Sequence, residues 1–255
     1  MYSNVPHLLL ILLLRYFVIA GAFYWVYYIL LRNKIHYRKI QFRLPTPSDY
    51  QREILFSLLT TVIFLMIGII TFHPNHLRPY TQIYDEFGSK GWSYEIFSFF
   101  MILIVHDTYF YWCHRVMHSR WGMKYIHLTH HKSVNPSPWA AFSFSPLEAI
   151  IEAGIILVVA FLFPIHRNTI LIFMVFMTLY NVYGHLGWEL YPKGFHKTRL
   201  GKWINTSINH NQHHQTFKGN YGLYFLFWDR WMRTLRTDYN DAYDEVSNRQ
   251  KEAIQ

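Results

Sequence analysis

Long apolar runs, each bounded by polar residues, follow one another through the first half of the chain. Residues 8–31 are almost continuously apolar or aromatic and are interrupted by Arg15, whereas residues 54–72 carry no charged side chain. A third apolar run, from about 94 to 105, leads directly into His106. Because about 20 apolar residues cross the hydrocarbon core of a bilayer, this pattern predicts three membrane-spanning helices.

Two more apolar runs, at 149–163 and 169–183, lie on either side of Pro164, His166 and Arg167. Their spacing predicts a helical hairpin that enters the membrane and returns to the side from which it came. The expected fold is therefore an all-α integral membrane protein with about four to five transmembrane or membrane-embedded helices. A histidine-rich helical region would face the cytosol.

The first apolar run is interpreted as a retained membrane helix, with a signal peptide as the alternative. It is longer than the apolar region of a typical signal peptide and lacks a small-residue cleavage site. Basic residues follow it as a stop-transfer flank: Arg32, Lys34, Arg38 and Lys39. The basic linker at 32–52 is expected on the cytoplasmic side, and the less basic loop at 73–91 on the far side. This topology places the downstream histidines at the cytoplasmic face of a bacterial plasma membrane or of the endoplasmic reticulum.

The composition supports a bilayer environment. The 255-residue chain is 52% hydrophobic and 15% charged, against a usual charged share of about 25%. Its net charge of +9 comes from basic residues that flank apolar segments, which favours anionic lipid headgroups over nucleic acid as partners. The single cysteine, Cys113, excludes an internal disulfide and, without a C-x-x-C pair, an iron–sulfur centre.

Histidines are concentrated in three short motifs. These are H-x-x-x-H at His114 and His118, H-x-x-H-H at His127, His130 and His131, and a second H-x-x-H-H at His210, His213 and His214. Residues three and four apart share a helix face, so each motif is expected to offer its imidazoles to one metal ion. Together they supply more ligands than one four-coordinate ion needs, which favours a dinuclear site. Imidazole binds Fe, Zn, Cu and Ni alike, so the ligand type leaves the metal open.

Five motifs taken in order, HDTYFYWCHRVMH, HLTHH, HNQHH, NYG and FWDR, resemble the fatty acid hydroxylase superfamily and in particular its sterol desaturase branch. The resemblance covers most of residues 99–235. It implies a membrane enzyme with a cytosol-facing di-iron centre of two Fe ions held by histidines. Such an enzyme uses O2 and external electrons to hydroxylate or desaturate a lipid of sterol or fatty acyl type.

Carried over by the resemblance, the metal ligands fall on nine histidines: His114, His118, His127, His130, His131, His185, His210, His213 and His214. His106 lies roughly 80° around a helix from His114, so it is expected either to bind metal or to hydrogen-bond a ligand. Relatives often carry a further histidine where this chain has Asn209, so no ligand is assigned there.

Carboxylates near these motifs are candidates to accept a hydrogen bond from a metal-bound imidazole. They are Asp107, which is the first choice, and Glu148, Glu189 and Asp229. Asn181 lies four residues before His185 and is expected to share its helix face. The nearby aromatic residues are expected to pack or to lie at the membrane interface rather than to line a substrate channel: Tyr109, Tyr111, Trp112, Trp139, Phe142 and Phe144.

The chain shows no flavin or nicotinamide fingerprint and no C-x-x-C-H motif, so electrons are expected from a separate partner such as a cytochrome b5 or a ferredoxin. Three regions are predicted: membrane helices and linker at 1–98, a catalytic domain at 99–237, and a solvated tail at 238–255. A non-catalytic membrane protein that binds haem or metal ions is the alternative function. A zinc hydrolase is disfavoured because no H-E-x-x-H motif is present.

Overall fold

The computed structural model describes residues 5–249 and opens with three long helices. Helix α1 covers Val5–Tyr24 and continues through a π-helical segment, Trp25–Leu30. Helices α2 and α3 cover Pro47–Phe72 and Trp92–Met117. All three are long and apolar enough to cross a membrane, which confirms three helices of membrane-spanning length where the sequence predicted them.

Helix α2 begins two turns before its apolar run, and its first turn explains why. Thr46 accepts a hydrogen bond from the backbone N–H of Asp49, and the Asp49 side chain accepts one from the backbone N–H of Thr46. This reciprocal cap, with Pro47 in the first helical position, satisfies backbone donors that a helix start otherwise leaves unpaired.

The remaining elements are short apart from one hairpin. The helices are α4 Arg120–Gly122, α5 Leu128–His131, α6 Pro146–Leu162, α7 Arg167–Gly184, α8 Ser207–Thr216, α9 Phe227–Trp231 and α10 Tyr239–Asn248, with a π-helical segment at Met123–His127. Short 3-10 helices lie at His36–Arg38, Arg78–Tyr80, Pro138–Phe142, Phe195–Lys197 and Gly201–Trp203. The two strands are β1 Ile83–Tyr84 and β2 Ile165–His166.

The predicted hairpin is the pair α6 and α7, and its tip defines one end of the molecule. Strand β2 at the tip pairs in parallel with β1, with Ile83 opposite Ile165. The backbone N–H of Ile40 in the basic linker donates to the carbonyl of Gly187, just beyond the end of α7. The loop after α2 therefore shares an end with the hairpin tip, while the basic linker shares the opposite end with the histidine motifs.

The outer faces of the five long helices are apolar, as a bilayer requires. Their exposed hydrophobic residues include Leu10, Leu14, Val18, Leu55, Leu59, Val62, Met66, Ile70, Ile96, Phe97, Phe100, Ile104, Ile150, Val158, Phe161, Leu171, Ile172, Val175 and Leu179. The one charge within α1, Arg15, lies instead over the ring of Phe142, 5.8 Å from its centroid. The cation is thereby kept on the protein side of the helix.

The prediction of a solvated tail from residue 238 is wrong for the described part of that segment. Helix α10 is amphipathic, and its Tyr239, Tyr243 and Val246 are buried in a cluster with Ile208 and Leu226. The abundant polar residues of this segment occupy the outer face of the helix and conceal the apolar stripe. Residues 250–255 lie outside the described part of the chain.

Candidate metal centre

The structure brings the nine histidines named from the sequence into two adjoining groups. The five-histidine group comprises His114, His118, His127, His131 and His213. The four-histidine group comprises His130, His185, His210 and His214. Within each group every residue offers a ring nitrogen within 4.8 Å of the others, a spacing that suits one metal ion per group.

The two H-x-x-H-H motifs are each divided between the two groups, so the prediction that each motif serves one metal is wrong. His127 and His131 are four residues apart and lie about 40° from each other around a helix, whereas His130 is about 100° from His131. His130 therefore points to the other group. The second motif divides in the same way, because His210 and His214 share a face and His213 does not.

Local structure positions these histidines at the ends of elements. His118 ends α3, where its backbone N–H donates to the carbonyl of His114. Helix α8 starts at the capping residue Thr206 and ends at Phe217, which adopts the left-handed conformation with φ 62°. The Phe217 ring then packs 4.7 Å from the ring of His131, which closes one side of the five-histidine group.

Backbone carbonyls determine which ring nitrogen faces the centre. The Nδ1 atoms of His114 and His213 donate to the carbonyls of Tyr221 and Gly219, at 2.9 and 2.7 Å. The Nδ1 atom of His185 donates to the carbonyl of Asn181 at 2.7 Å. Since a carbonyl can only accept, these Nδ1 atoms carry the hydrogen, and Nε2 presents a lone pair.

The Nε2 atoms converge at distances that fit a bound cation. In the five-histidine group His131 lies 3.1 Å from both His118 and His213. In the four-histidine group His185 lies 3.0 Å from His210 and 3.2 Å from His214. Two nitrogens bound at right angles about 2.1 Å from one ion are about 3.0 Å apart. Lone pairs that face one another this closely repel unless a cation lies between them, so the donor set fits two metal ions.

Burial keeps the imidazoles neutral, which metal binding requires. It lowers the pKa of His118 and of His185 to about 4. It also lowers the pKa of the other group members outside the spanning helices well below the ordinary value, and neighbouring imidazoles add to this effect: His127, His130, His131, His210, His213 and His214.

Glu148 contacts one of the grouped histidines directly. The Nδ1–H of His127 donates to Glu148 Oε1 at 2.7 Å, and both side chains are buried. Glu148 lies in the first turn of α6, where Ser145 caps the helix. The first choice, Asp107, is wrong: it accepts hydrogen bonds from the backbone N–H groups of Tyr224 and Phe225 instead.

The other polar candidates support backbone that carries the ligands. Asp229 accepts from the N–H of Tyr221, the residue whose carbonyl receives His114. Glu189 accepts from the N–H of Ile208 in the first turn of α8. Asn181 acts on His185 through its backbone carbonyl, while its side chain donates to Ala141. In each case a ligand-bearing segment is held in place without a side-chain contact to an imidazole.

His106 belongs to neither histidine group. Its Nδ1 lies 2.9 Å from the hydroxyl of Tyr224, and its ring faces an internal cavity. Both roles expected for it, metal ligand and partner of a ligand, are therefore wrong. The large angle around α3 between His106 and His114 directs the two side chains to different neighbours.

The cavity lies between α2, α3, α6 and α7 and adjoins the metal centre. Its lining is mostly apolar: Phe64, Ile67, Gly68, Phe72, His106, Phe110, Phe142, Phe144, Glu152, Ala153, Ile155, Ile156, Met174, Met177, Asn181 and Leu223. The Phe144 ring packs 5.2 Å from His130, and the Phe110 ring 4.9 Å from His114. Phe142 and Phe144 thus pack in a buried apolar cluster, as expected, and also form part of the cavity wall.

The region that carries the histidine motifs is similar to a known protein family. The chain matches the fatty acid hydroxylase family over residues 99–234. Lathosterol oxidase of Rattus norvegicus is 30% identical over 177 residues, which are 69% of this chain and 57% of the relative. A Delta(7)-sterol 5(6)-desaturase of Gibberella zeae is 27% identical over 208 residues, 81% of this chain and 60% of the relative. No solved structure matches the chain.

Lathosterol oxidase of Homo sapiens is 28% identical over 212 residues, 82% of this chain and 66% of that protein. The chain thus spans between 57% and 66% of the length of these three relatives. The family match covers all three histidine motifs, the hairpin and the polar candidates Asp107, Glu148, Asn181, Glu189 and Asp229. With these motifs in this order, the chain belongs to the fatty acid hydroxylase family, within its sterol desaturase branch.

Proposed function

We propose that this protein is a membrane-bound di-iron oxygenase that hydroxylates or desaturates a lipid of sterol type, with O2 as co-substrate. The observation that carries the proposal is the pair of buried histidine groups, each with the spacing of one ion's ligands, beside an apolar cavity. Two bound irons would supply the redox chemistry that activates O2 toward an unactivated C–H bond. The relatives named lathosterol oxidase and Delta(7)-sterol 5(6)-desaturase support the substrate class.

The residues of the chain would prepare the site for this chemistry. Carbonyls of Tyr221, Gly219 and Asn181 and the carboxylate of Glu148 hold four imidazoles in the orientation that directs Nε2 inward. Fixed ligands need no reorganisation when the metal binds or changes charge. Burial of all the ligands except His118, which is partly exposed, would limit the access of water to a reactive centre.

The lipid would reach the centre from the bilayer through the cavity. The cavity walls come from helices whose outer faces are apolar, and Phe144 and Phe110 separate the cavity from the histidine groups by the thickness of one ring. A lipid in this cavity would therefore lie against the metal centre without crossing an aqueous space.

Electrons would come from a separate protein that docks at the end of the molecule where the histidine groups lie, which is called the metal end. Exposed basic residues gather there, and they suit an acidic partner such as a cytochrome b5 or a ferredoxin: Arg32, Lys34, Arg43, Arg120, Lys124, Lys132 and Lys218. The same basic character supports a cytoplasmic location for the metal end, in a plasma membrane or in the endoplasmic reticulum.

Metal analysis tests the proposal. Protein purified in mild detergent is expected to hold about two non-haem irons per chain, one for each ligand group. Replacement of one ligand from each group, His130→Ala or His213→Ala, should lower the iron content and abolish O2-dependent oxidation of a sterol. His36→Ala is the matched control, because His36 belongs to neither group and its ring packs against Phe42. A Soret band without non-haem iron would instead support the haem-binding alternative, and full activity in either ligand variant would contradict the assignment.

A further inference from the structure

Glu152 is a carboxylate without a protein partner in the wall of the cavity. It lies one helical turn beyond Glu148 on α6 and contributes to the cavity lining. Within residues 5–249 it makes no hydrogen bond and no ion pair. An acidic residue surrounded by apolar side chains at membrane depth is costly, and such a residue is typical of a functional site.

The other two polar side chains of the cavity already have partners. His106 is hydrogen-bonded through Nδ1 to the hydroxyl of Tyr224, and the Asn181 amide donates to the carbonyl of Ala141. The remaining lining is aliphatic, aromatic or thioether in character. A ligand that fills the cavity must therefore be apolar over most of its surface and polar near Glu152.

We infer that the cavity receives a lipid with a single hydroxyl on an apolar body, and that Glu152 hydrogen-bonds this hydroxyl. The inference rests on the proposed function and makes its substrate class more specific. A carboxyl oxygen accepts a hydrogen bond from a hydroxyl, whereas the cavity lining within the described residues holds no Lys or Arg that could pair with the carboxylate of a fatty acid or the phosphate of a phospholipid. Glu152 thus selects a sterol-type alcohol over an anionic lipid.

The position of Glu152 also orients the lipid. Glu152 is close to the metal end of α6, whereas Ile67, Gly68 and Phe72 extend the cavity toward the opposite end of α2. With its hydroxyl at Glu152, the lipid would extend its apolar body toward Phe72. The carbons nearest the hydroxyl would then face the histidine groups and would be the carbons oxidised.

The cavity must widen when the lipid binds. The cavity has a volume of about 50 Å³, which is room for only a few waters. Met174 and Met177 line this space, and methionine side chains repack at low cost because they are unbranched and have several rotatable bonds. Binding by displacement of these side chains is consistent with a narrow resting cavity.

Equilibrium binding of radiolabelled lathosterol to the detergent-purified protein tests the role of Glu152. Its 3-deoxy analogue has the same rings without the hydroxyl, and stearic acid supplies an anionic lipid. Wild type should bind lathosterol about tenfold more tightly than the 3-deoxy analogue, as expected for one buried hydrogen bond. Glu152→Leu should lose this preference, and Glu152→Gln, whose amide still bonds a hydroxyl, should keep part of it.

Met177→Leu is the matched control, because a volume-conserving change in the same cavity should shift the affinities for both sterols together. The inference is overturned if wild type and Glu152→Leu show the same preference, if stearic acid binds more tightly than lathosterol, or if lathosterol shows no saturable binding. Binding needs no turnover. Hydroxyl-dependent binding without oxidation would therefore defeat the proposed function alone, and oxidation without a Glu152 effect would defeat this inference alone.

Discussion

Glu148 Oε1 lies 2.7 Å from Nδ1 of His127, and this buried pair joins the start of α6 to the five-histidine group. The contact has two consequences. It orients the His127 ring so that Nε2 faces His114, 3.0 Å away. It also increases the basicity of the imidazole that would bind the metal, as carboxylate partners of metal-bound histidines do.

Loss of this carboxylate should weaken metal binding. Glu148→Leu leaves the Nδ1–H of His127 without its acceptor, and we expect a decrease of about 10- to 100-fold in iron affinity. Glu148→Gln retains an acceptor oxygen and should lose less. Iron remaining after dialysis against graded chelator concentrations measures the effect. Glu152→Leu, one turn further along α6 and without a histidine contact, should retain its iron. Equal retention in Glu148→Leu and wild type would contradict the role of the pair.

The division of the motifs between two groups predicts an unusual pattern in double variants. His131 and His213 belong to one group although they are far apart in sequence, whereas His213 and His214 are adjacent in sequence and belong to different groups. The variant His131→Ala/His213→Ala should therefore retain about one iron per chain, in the intact four-histidine group. The variant His213→Ala/His214→Ala should weaken both.

Iron and zinc content per chain, measured on both double variants in parallel, distinguishes this arrangement from one ion per motif. If each motif held its own ion, the adjacent pair would remove one ion and the distant pair would remove two. Thermal unfolding of each preparation provides the control for folding, and single His36→Ala protein provides the control for metal loading.

Much of the fold and the identity of the histidines could be predicted from local patterns. Apolar runs of membrane length and the Pro164 break are properties of consecutive residues, so the spans and the hairpin follow from the chain alone. Histidine spacing likewise indicates a metal site. The prediction that three candidate spans exist is confirmed by α1, α2 and α3.

Other features depend on packing between distant segments. Helix geometry separates His130 from His127 and His131, but which distant histidines each of them meets depends on the rotation of α5 relative to α7 and α8, which no local pattern specifies. Asp107 and Glu148 are both acidic residues near the motifs. The backbone N–H groups of Tyr224 and Phe225 donate to Asp107, however, whereas only Glu148 of the two accepts a hydrogen bond from a grouped histidine. The burial of Tyr239 and Tyr243 similarly requires Ile208 as a partner.

Lys39 provides a test of electrostatics outside the metal centre. Its side chain is fully buried with Nζ 4.1 Å from the ring centroid of Trp188, and Nζ has no hydrogen bond within the described residues. Burial lowers the pKa of Lys39 to about 7. A cation–π contact worth about 2 kcal/mol opposes this shift but does not outweigh the cost of desolvation.

Lys39→Met should therefore stabilise the protein, and more so at low pH. The pKa is lower in the folded than in the unfolded chain, so the unfolded chain binds more protons between about pH 7 and pH 10.5, and wild-type stability rises with pH in this window. Below pH 7 the folded protein bears the full cost of the buried charge. The gain in melting temperature from Lys39→Met should be largest at pH 6 and smaller at pH 9. Exposed Lys34→Met is the control, and a gain independent of pH would contradict the argument.

Gly68 offers a way to close the cavity without disturbing the metal centre. It lines the cavity on α2, and a Cβ atom built at this position meets no atom within 4 Å. Gly68→Leu should therefore fold, with a gain of about 1 kcal/mol from helix propensity, while its side chain fills the space that a lipid would use.

We expect Gly68→Leu protein to keep its iron content and to lose sterol oxidation by at least tenfold. If the lipid can still enter the narrowed cavity, the loss should be mainly an increase in KM. Met66→Leu on the exposed face of the same helix should leave oxidation unchanged. Oxidation at the wild-type rate by Gly68→Leu protein would show that the substrate reaches the histidine groups by a route other than this cavity.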